Sequence, residues 1–312
     1  MRKMTLTAVI VAISAFFLMT LIMPAKIGRA VYDSAAELEA GVYGLETKYT
    51  DIGEMNISLY QNELSDRPTV LMLHGYSADK NVWPRFARYF TDDYNVLIPD
   101  MAGHGLTGFD AEWSYTGPAQ VERLIKLLDK LGIQQVHIIG NSMGGFISAH
   151  FARMYPLRTL SAALVDPAGV ASPQPSTMGN MLAKGQNPFE IHNREDFDTF
   201  YNMTMAEPPW FPDFILEAVS EKYQHRRAQL AQIFGDFHGR DPLDNLLHEI
   251  TVPALLLWGA KDQLIHVSSV DVWQQGIKQI QVKVWPDIGH MPMLEVPEDS
   301  ARVYQQFITQ IN

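Results

Sequence analysis

The sequence predicts an α/β protein: a mostly parallel, eight-stranded sheet with helices on both faces, a helical insertion, and a membrane-spanning helix at the N-terminus. Three observations predict it. Short continuous apolar runs alternate with helical stretches through most of the 312 residues. That rhythm lapses between residues 172 and 249. Finally, the basic start Met1-Arg2-Lys3 is followed by an uncharged run from Met4 to Met23, and then by Pro24.

The N-terminal run comes first. Twenty helical residues rise about 30 Å, the hydrocarbon thickness of a bilayer. A cleaved signal peptide is the competing reading, with Gly28-Arg29-Ala30 as its site. Such peptides have a shorter apolar core of about 7–15 residues, and Lys26 and Arg29 crowd the cleavage position. An uncleaved anchor over residues 1–26 is therefore expected, with secretion after cleavage as the alternative. Arg2 and Lys3 favour a cytoplasmic N-terminus, which would leave the rest of the chain on the extracytoplasmic, periplasmic side. Lys26 and Arg29 pull the other way. Residues 27–44 form a polar, helix-prone spacer.

Composition narrows the classes. Hydrophobic residues at 47 % and charged residues at 19 % suit a packed globular chain. A net charge of −11 with no basic stripe excludes a nucleic-acid partner. The same acidity makes electrostatic attachment to an anionic membrane unexpected, so the apolar run must do the holding. With no cysteine there is no thiol nucleophile, disulfide framework or thiolate metal site.

Two extended stretches, Glu46–Thr50 and Met55–Gln61, flank the turn Asp51-Ile52-Gly53. Apolar runs follow at Thr69–Leu73, Asn95–Ile98, Val136–Ile139, Ala162–Val165, Ala254–Trp258 and Gln281–Trp285. Bounded by Gly, Pro or Asp, they suit strands buried on both faces of a parallel sheet. Helical segments lie between them at Lys80–Phe90, Pro118–Leu131, Met143–Met154, Ser268–Ile277 and Glu298–Ile311. This alternation is a doubly wound α/β pattern, with its core at 45–171 and 250–312. Residues 172–249 carry many aromatic and Met residues, punctuated by Pro208, Pro209 and Pro212, and read as a mostly helical cap after the sixth strand. Most of its apolar side chains form its own core, and the rest are expected to line a substrate pocket: Phe200, Met203, Trp210, Phe211 and Phe214.

The strongest chemical signal is Gly140-Asn141-Ser142-Met143-Gly144, between a strand and a helix. In that setting G-x-S-x-G makes a sharp turn that lifts a serine hydroxyl out of the sheet. The helix that follows aims its N-terminal N–H groups at developing negative charge. A serine hydroxyl needs a base, and His290, in Ile288-Gly289-His290-Met291 after the last strand, fits best among ten histidines. His74 is a rival by proximity to the sheet edge but suggests another role, and His104 suits a turn. The imidazole in turn needs a carboxylate. Asp262, after Gly259-Ala260-Lys261, completes the order Ser, Asp, His, with Asp166 at the preceding strand end as its competitor and Asp287 a turn former. Two oxyanion donors are expected: the Met143 N–H, and the Tyr76 N–H in His74-Gly75-Tyr76-Ser77. No metal motif is present, since His248-Glu249 lacks a second His at zinc spacing.

Those motifs, with Trp83, Asp100-Met101-Ala102-Gly103-His104-Gly105, Asp166-Pro167-Ala168-Gly169 and Trp258-Gly259, resemble the α/β-hydrolase superfamily over roughly residues 45 to 312. The likeness is greatest to its membrane-anchored monoacylglycerol-lipase branch and similar bacterial lipases and esterases. It implies cofactor-free hydrolysis of acyl esters of lipophilic substrates by Ser142, Asp262 and His290, with oxyanion amides at Tyr76 and Met143. Carbon–carbon hydrolases of ring-cleavage products share a Gly-Asn-Ser-Met-Gly-Gly elbow and form one alternative. They usually have more glycine in the oxyanion loop than Tyr76-Ser77-Ala78-Asp79-Lys80 offers. A non-catalytic receptor for a hydrophobic ligand is another, opposed by the complete set of reactive residues.

Overall fold

The computed structural model describes residues 24–311. The eight expected strands form one sheet in the order β1-β2-β4-β3-β5-β6-β7-β8. They are β1 (Glu46–Asp51), β2 (Asn56–Gln61), β3 (Thr69–Leu73), β4 (Asn95–Pro99), β5 (Val136–Asn141), β6 (Thr159–Val165), β7 (Ala254–Gly259) and β8 (Gln281–Trp285). β2 runs antiparallel to β1 and β4, and every other neighbouring pair is parallel. In β3, β4 and β7 the strand interiors are apolar without alternation because both faces are covered, whereas β1 at the sheet edge is polar and largely exposed. Within β3, Leu71 and Leu73 join the core on one face, while Val70 and Met72 join the core on the other.

Helices α3 (Gly117–Lys130), α4 (Met143–Met154) and α8 (Ser269–Gly276) pack on the first face, burying Leu124, Phe146 and Trp273. The second face is covered by α2 (Pro84–Ala87), α9 (Pro292–Glu295) and α10 (Pro297–Ile308), with Phe86, Tyr304 and Phe307. The single helix expected over Lys80–Phe90 is broken. A 3₁₀ turn, Lys80–Val82, ends at Trp83, and α2 restarts at Pro84, whose ring lacks the N–H a continuous helix would need.

Between β6 and β7 lie α5 (Thr177–Ala183), α6 (Arg194–Thr204) and the long α7 (Asp213–Phe237). Ahead of β1, α1 (Pro24–Val42) is a continuous helix packed along α7. Among the described residues no helix is long and apolar enough to cross a membrane. The expected anchor run, Met4 to Met23, lies outside the described residues.

Buried histidines give the fold an acid limit. His150 on α4 faces the Asp241 carbonyl through Nε2 at 3.1 Å and the Arg153 guanidinium through Nδ1 at 3.3 Å, which suits the neutral imidazole. Burial pushes its pKa down to about 4. A folded-state pKa below the unfolded one means that the unfolded chain binds the extra proton, so stability falls as pH drops from about 6.5 towards 4. This one group is expected to remove about 3 kcal/mol across that window. Urea unfolding at pH 7 and pH 4.5 checks it: His150→Gln should lose less stability on acidification than the parent, and an equal loss would refute the assignment.

Candidate active site

The elbow is built by glycine and held under strain. Ser142 sits at φ 57° and ψ −116°, a conformation that costs about 1–3 kcal/mol and persists only where its surroundings enforce it. Its N–H donates to the Val165 carbonyl at 2.9 Å, and its carbonyl accepts from Phe146 and Ala168 at 3.0 and 3.1 Å. A Cβ on Gly140 would stand 2.1 Å from the Gly144 carbonyl oxygen, and one on Gly144 would stand 2.3 Å from that of Leu73. The turn therefore closes only without side chains at these two positions.

His290 is brought to the elbow by its own backbone, whose carbonyl accepts from Asn141 Nδ2 at 2.9 Å. His290 Nδ1 lies 2.7 Å from Asp262 Oδ2. The other Asp262 oxygen, Oδ1, accepts from the N–H groups of Leu264 and Ile265 at 2.7 and 3.0 Å. Three N–H donors on one carboxylate fix its orientation and favour its charge.

Asp166, the competing acid, is also close: an oxygen of each aspartate and a ring nitrogen of His290 lie within 4.8 Å of one another. Its environment differs. Asp166 Oδ1 takes one N–H, from Gly259 at 2.9 Å, while Oδ2 is buried without a hydrogen-bond partner among the described residues. Burial, and then the neighbouring Asp262, push the Asp166 carboxyl well above the usual range. Two adjacent buried carboxyls do not both ionise, and the proton goes to the one with fewer donors. The same commitments bear on metal binding. Both Asp262 oxygens and His290 Nδ1 are engaged with one another and with backbone N–H groups, so an ion at this cluster would have to displace the His290–Asp262 hydrogen bond.

The loop after β3 passes directly over the elbow, where a Cβ on Gly75 would lie 3.1 Å from the Ser142 Cβ. The Gly75–Tyr76 peptide is thereby set beside the serine and the N-terminus of α4. The Tyr76 hydroxyl donates to the Leu230 carbonyl of α7 at 2.7 Å, tying this loop to the β6–β7 segment. His74 has a structural role. Its Nε2 accepts from Met101 N–H at 2.9 Å, which leaves Nδ1 to donate to the Gly75 carbonyl at 2.8 Å. His104 lies in the expected turn, fully buried, and burial pushes its pKa well down.

Ser142 and His290 open into a cavity of about 520 Å³. Of the expected pocket residues, Phe200 and Phe211 line it, and the other three do not. Met203 is 5 % exposed and packs in the core, and Trp210 is 84 % exposed on the surface. Phe214 sits where its backbone meets Gly28 of α1. The sequence reading missed Phe189 and Phe197, Ile215 and Val219 of α7, and a wall contributed by α1 through Tyr32, Ala35 and Ala36. The spacing of Ile215, Val219 and Tyr223, four apart on one helix face, was the available signal.

Residues 68–297 match the family described as alpha/beta hydrolase fold. The chain belongs to that family. Lipase 3 of Moraxella sp. (strain TA144) is 31 % identical over 271 residues, covering 84 % of each chain. Monoacylglycerol lipase ABHD6 of Homo sapiens is 26 % identical over 259 residues, covering 79 % of this chain and 77 % of its own. A crystal structure of a membrane phospholipase A, described as a bacterial virulence factor, superposes with a TM-score of 0.87 at 33 % identity, covering 98 % of this chain and 97 % of that one. This α/β hydrolase is thus an enzyme, a serine hydrolase acting on ester bonds.

Proposed function

We propose that the protein hydrolyses acyl esters of lipophilic alcohols through an acyl-enzyme on Ser142, with His290 as base and Asp262 as orienting acid. The observation that carries this reading is His290, 2.7 Å from Asp262 behind it, opening with Ser142 into a cavity walled by Phe189, Phe197 and Phe200. His290 takes the Ser142 proton as the hydroxyl attacks the ester carbonyl, and returns it to the departing alcohol. A water activated by the same imidazole then releases the fatty acid. The amides of Tyr76 and Met143 receive the oxyanion, each donor contributing about 3 kcal/mol at the transition state.

Ester rather than carbon–carbon cleavage is supported by relatives at 31 and 33 % identity that are named lipases. Residues 172–249 act as a cap over the cavity. Residues 4–23 anchor the enzyme, with its catalytic domain on the extracytoplasmic side. Because α1 follows that run directly and also walls the cavity, the anchor would hold the substrate entrance close to lipid.

Hydrolysis of p-nitrophenyl esters from two to sixteen carbons, by the full chain and by Ser142→Ala, tests the reading. The expected result is a Ser142-dependent optimum at eight carbons or longer. A preference for acetyl esters would replace the lipophilic substrate with a small one. Absence of Ser142-dependent turnover on every ester would remove the proposal altogether.

A further inference from the structure

The cavity is apolar along α6 and the Ile215–Val219 stretch of α7, but charged along α1, the segment after the oxyanion loop and Lys222 further along α7. Three Lys or Arg side chains line it, and each is already matched by a carboxylate that lines it too. Lys222 Nζ lies 2.8 Å from Asp79 Oδ2, Arg85 Nε 2.7 Å from Glu39 Oε1, and Arg29 Nε 3.6 Å from Asp33 Oδ2. Two further lining carboxylates, Glu207 and Glu295, have no counterpart among these cations. Glu295 is spent on the N–H groups of Gly289, Met291 and Ala206.

The innermost pair is built in. Asp79 is buried; burial opposes its charge, but the Lys222 ammonium, with the Asn81 N–H, overrides that and holds the carboxyl well below the usual range. Asp79 in turn raises the Lys222 ammonium. Beside the pair stand uncharged hydroxyls, with Ser77 Oγ 3.3 Å from Tyr223 Oη. Ser77 follows Tyr76 directly, so this polar strip begins at the reaction centre, where the alcohol of an ester would depart.

We infer that the strip is the binding site for the alcohol portion of the ester, and that it selects an uncharged, hydroxyl-bearing alcohol over an anionic phosphodiester head. The inference rests on the lipophilic-ester reading above. A hydroxyl both donates and accepts, so it inserts beside matched charges without disturbing their balance. A phosphodiester finds no unspent cation. It must either displace a carboxylate from its partner or sit, partly desolvated, against a wall with excess negative charge. The names of the relatives leave this choice open, since they include monoacylglycerol lipases and a membrane phospholipase A.

The test compares kcat/KM of the full-length enzyme for 1-oleoylglycerol and 1-oleoyl-lysophosphatidylglycerol, presented in the same neutral detergent micelles. A preference of at least about tenfold for the neutral lipid is expected, narrowing with added salt as the charges are screened. Equal rates, or a preference for the anionic lipid, would overturn it. Asp79→Asn and Glu39→Gln each leave one cation unmatched and should shift the ratio towards the anionic lipid by at least about threefold. Asp79 also caps the Lys80–Val82 turn, so Glu39→Gln, on a half-exposed pair, keeps the test decisive if Asp79→Asn misfolds. An unchanged ratio in folded Glu39→Gln refutes the strip. Failure of Ser142-dependent turnover on both lipids would instead count against the ester reading beneath it.

Discussion

Asp262→Asn is expected to lower kcat by about ten-thousandfold, while Asp166→Asn stays within about threefold of the parent. The two residues sit at neighbouring strand ends around the same imidazole, and hydrogen-bond inventory separates them. Asp262 receives two backbone N–H groups and His290 Nδ1, so its charge is held where it can stabilise the imidazolium. An asparagine there presents an NH2 or a neutral carbonyl and leaves His290 in the wrong tautomer or without a counter-charge. Burial and the neighbouring Asp262 push the Asp166 carboxyl towards its neutral form, so a neutral amide is a near-isosteric replacement. Its carbonyl still accepts from Gly259, and its NH2 occupies the position of the protonated oxygen. Steady-state kinetics on an octanoyl ester, with circular dichroism to establish folding, decide the matter. Loss of activity in folded Asp166→Asn together with survival in Asp262→Asn would reverse the two roles.

Gly28→Val is expected to lower kcat/KM for a sixteen-carbon ester at least tenfold while leaving a two-carbon ester within about threefold. A Cβ at residue 28 would stand 1.9 Å from the Phe214 carbonyl oxygen and 2.9 Å from the Ala218 Cβ, so α1 has to withdraw from α7 by about 1.5 Å to restore van der Waals contact. The obstacle is backbone, which cannot rotate away. Withdrawal opens the seam between α1 and the apolar wall of α7 that carries Ile215 and Val219, and lets water onto the surface that a long acyl ester would cover, at about 25 cal/mol for each Å² left wet. A short ester reaches Ser142 without using that wall. An equal loss on both esters would mean that α1 supports the whole fold, and no loss would mean that it is not a wall in solution.

The strands were legible because a parallel sheet covered on both faces imposes a simple rule on sequence. Six lie where apolar runs predict them and the first two where extended stretches flank a turn, and α4 spans the expected Met143–Met154. The elbow was legible for a related reason: a turn that tight excludes a Cβ at two fixed positions, so the glycines of residues 140 and 144 are written into the chain. The break at Pro84 was present in the sequence as well, but the apolar pattern through Lys80–Phe90 outweighed it. The pocket lining was much less legible. Composition marks the 172–249 segment as aromatic, yet it cannot say which ring faces the cavity. Met203 and Trp210 are similarly apolar, and one is buried in the core while the other is exposed.

The sequence alone therefore determined the sheet and the glycine-flanked turn at Ser142, because each depends on local periodicity or on a local steric limit. It also supplied both aspartates without ranking their chemistry. Tertiary structure decided which carboxyl faces the imidazole with two backbone N–H groups behind it and which takes only one and is pushed towards its neutral form, since that depends on N–H groups from Gly259, Leu264 and Ile265 converging in space. It likewise decided that α1, distant in sequence from α7, packs against it through Gly28 and closes the cavity. Side-chain matching around the cavity, Glu39 with Arg85 and Asp79 with Lys222, joins residues 46 and 143 positions apart, a separation at which no local pattern constrains the partner.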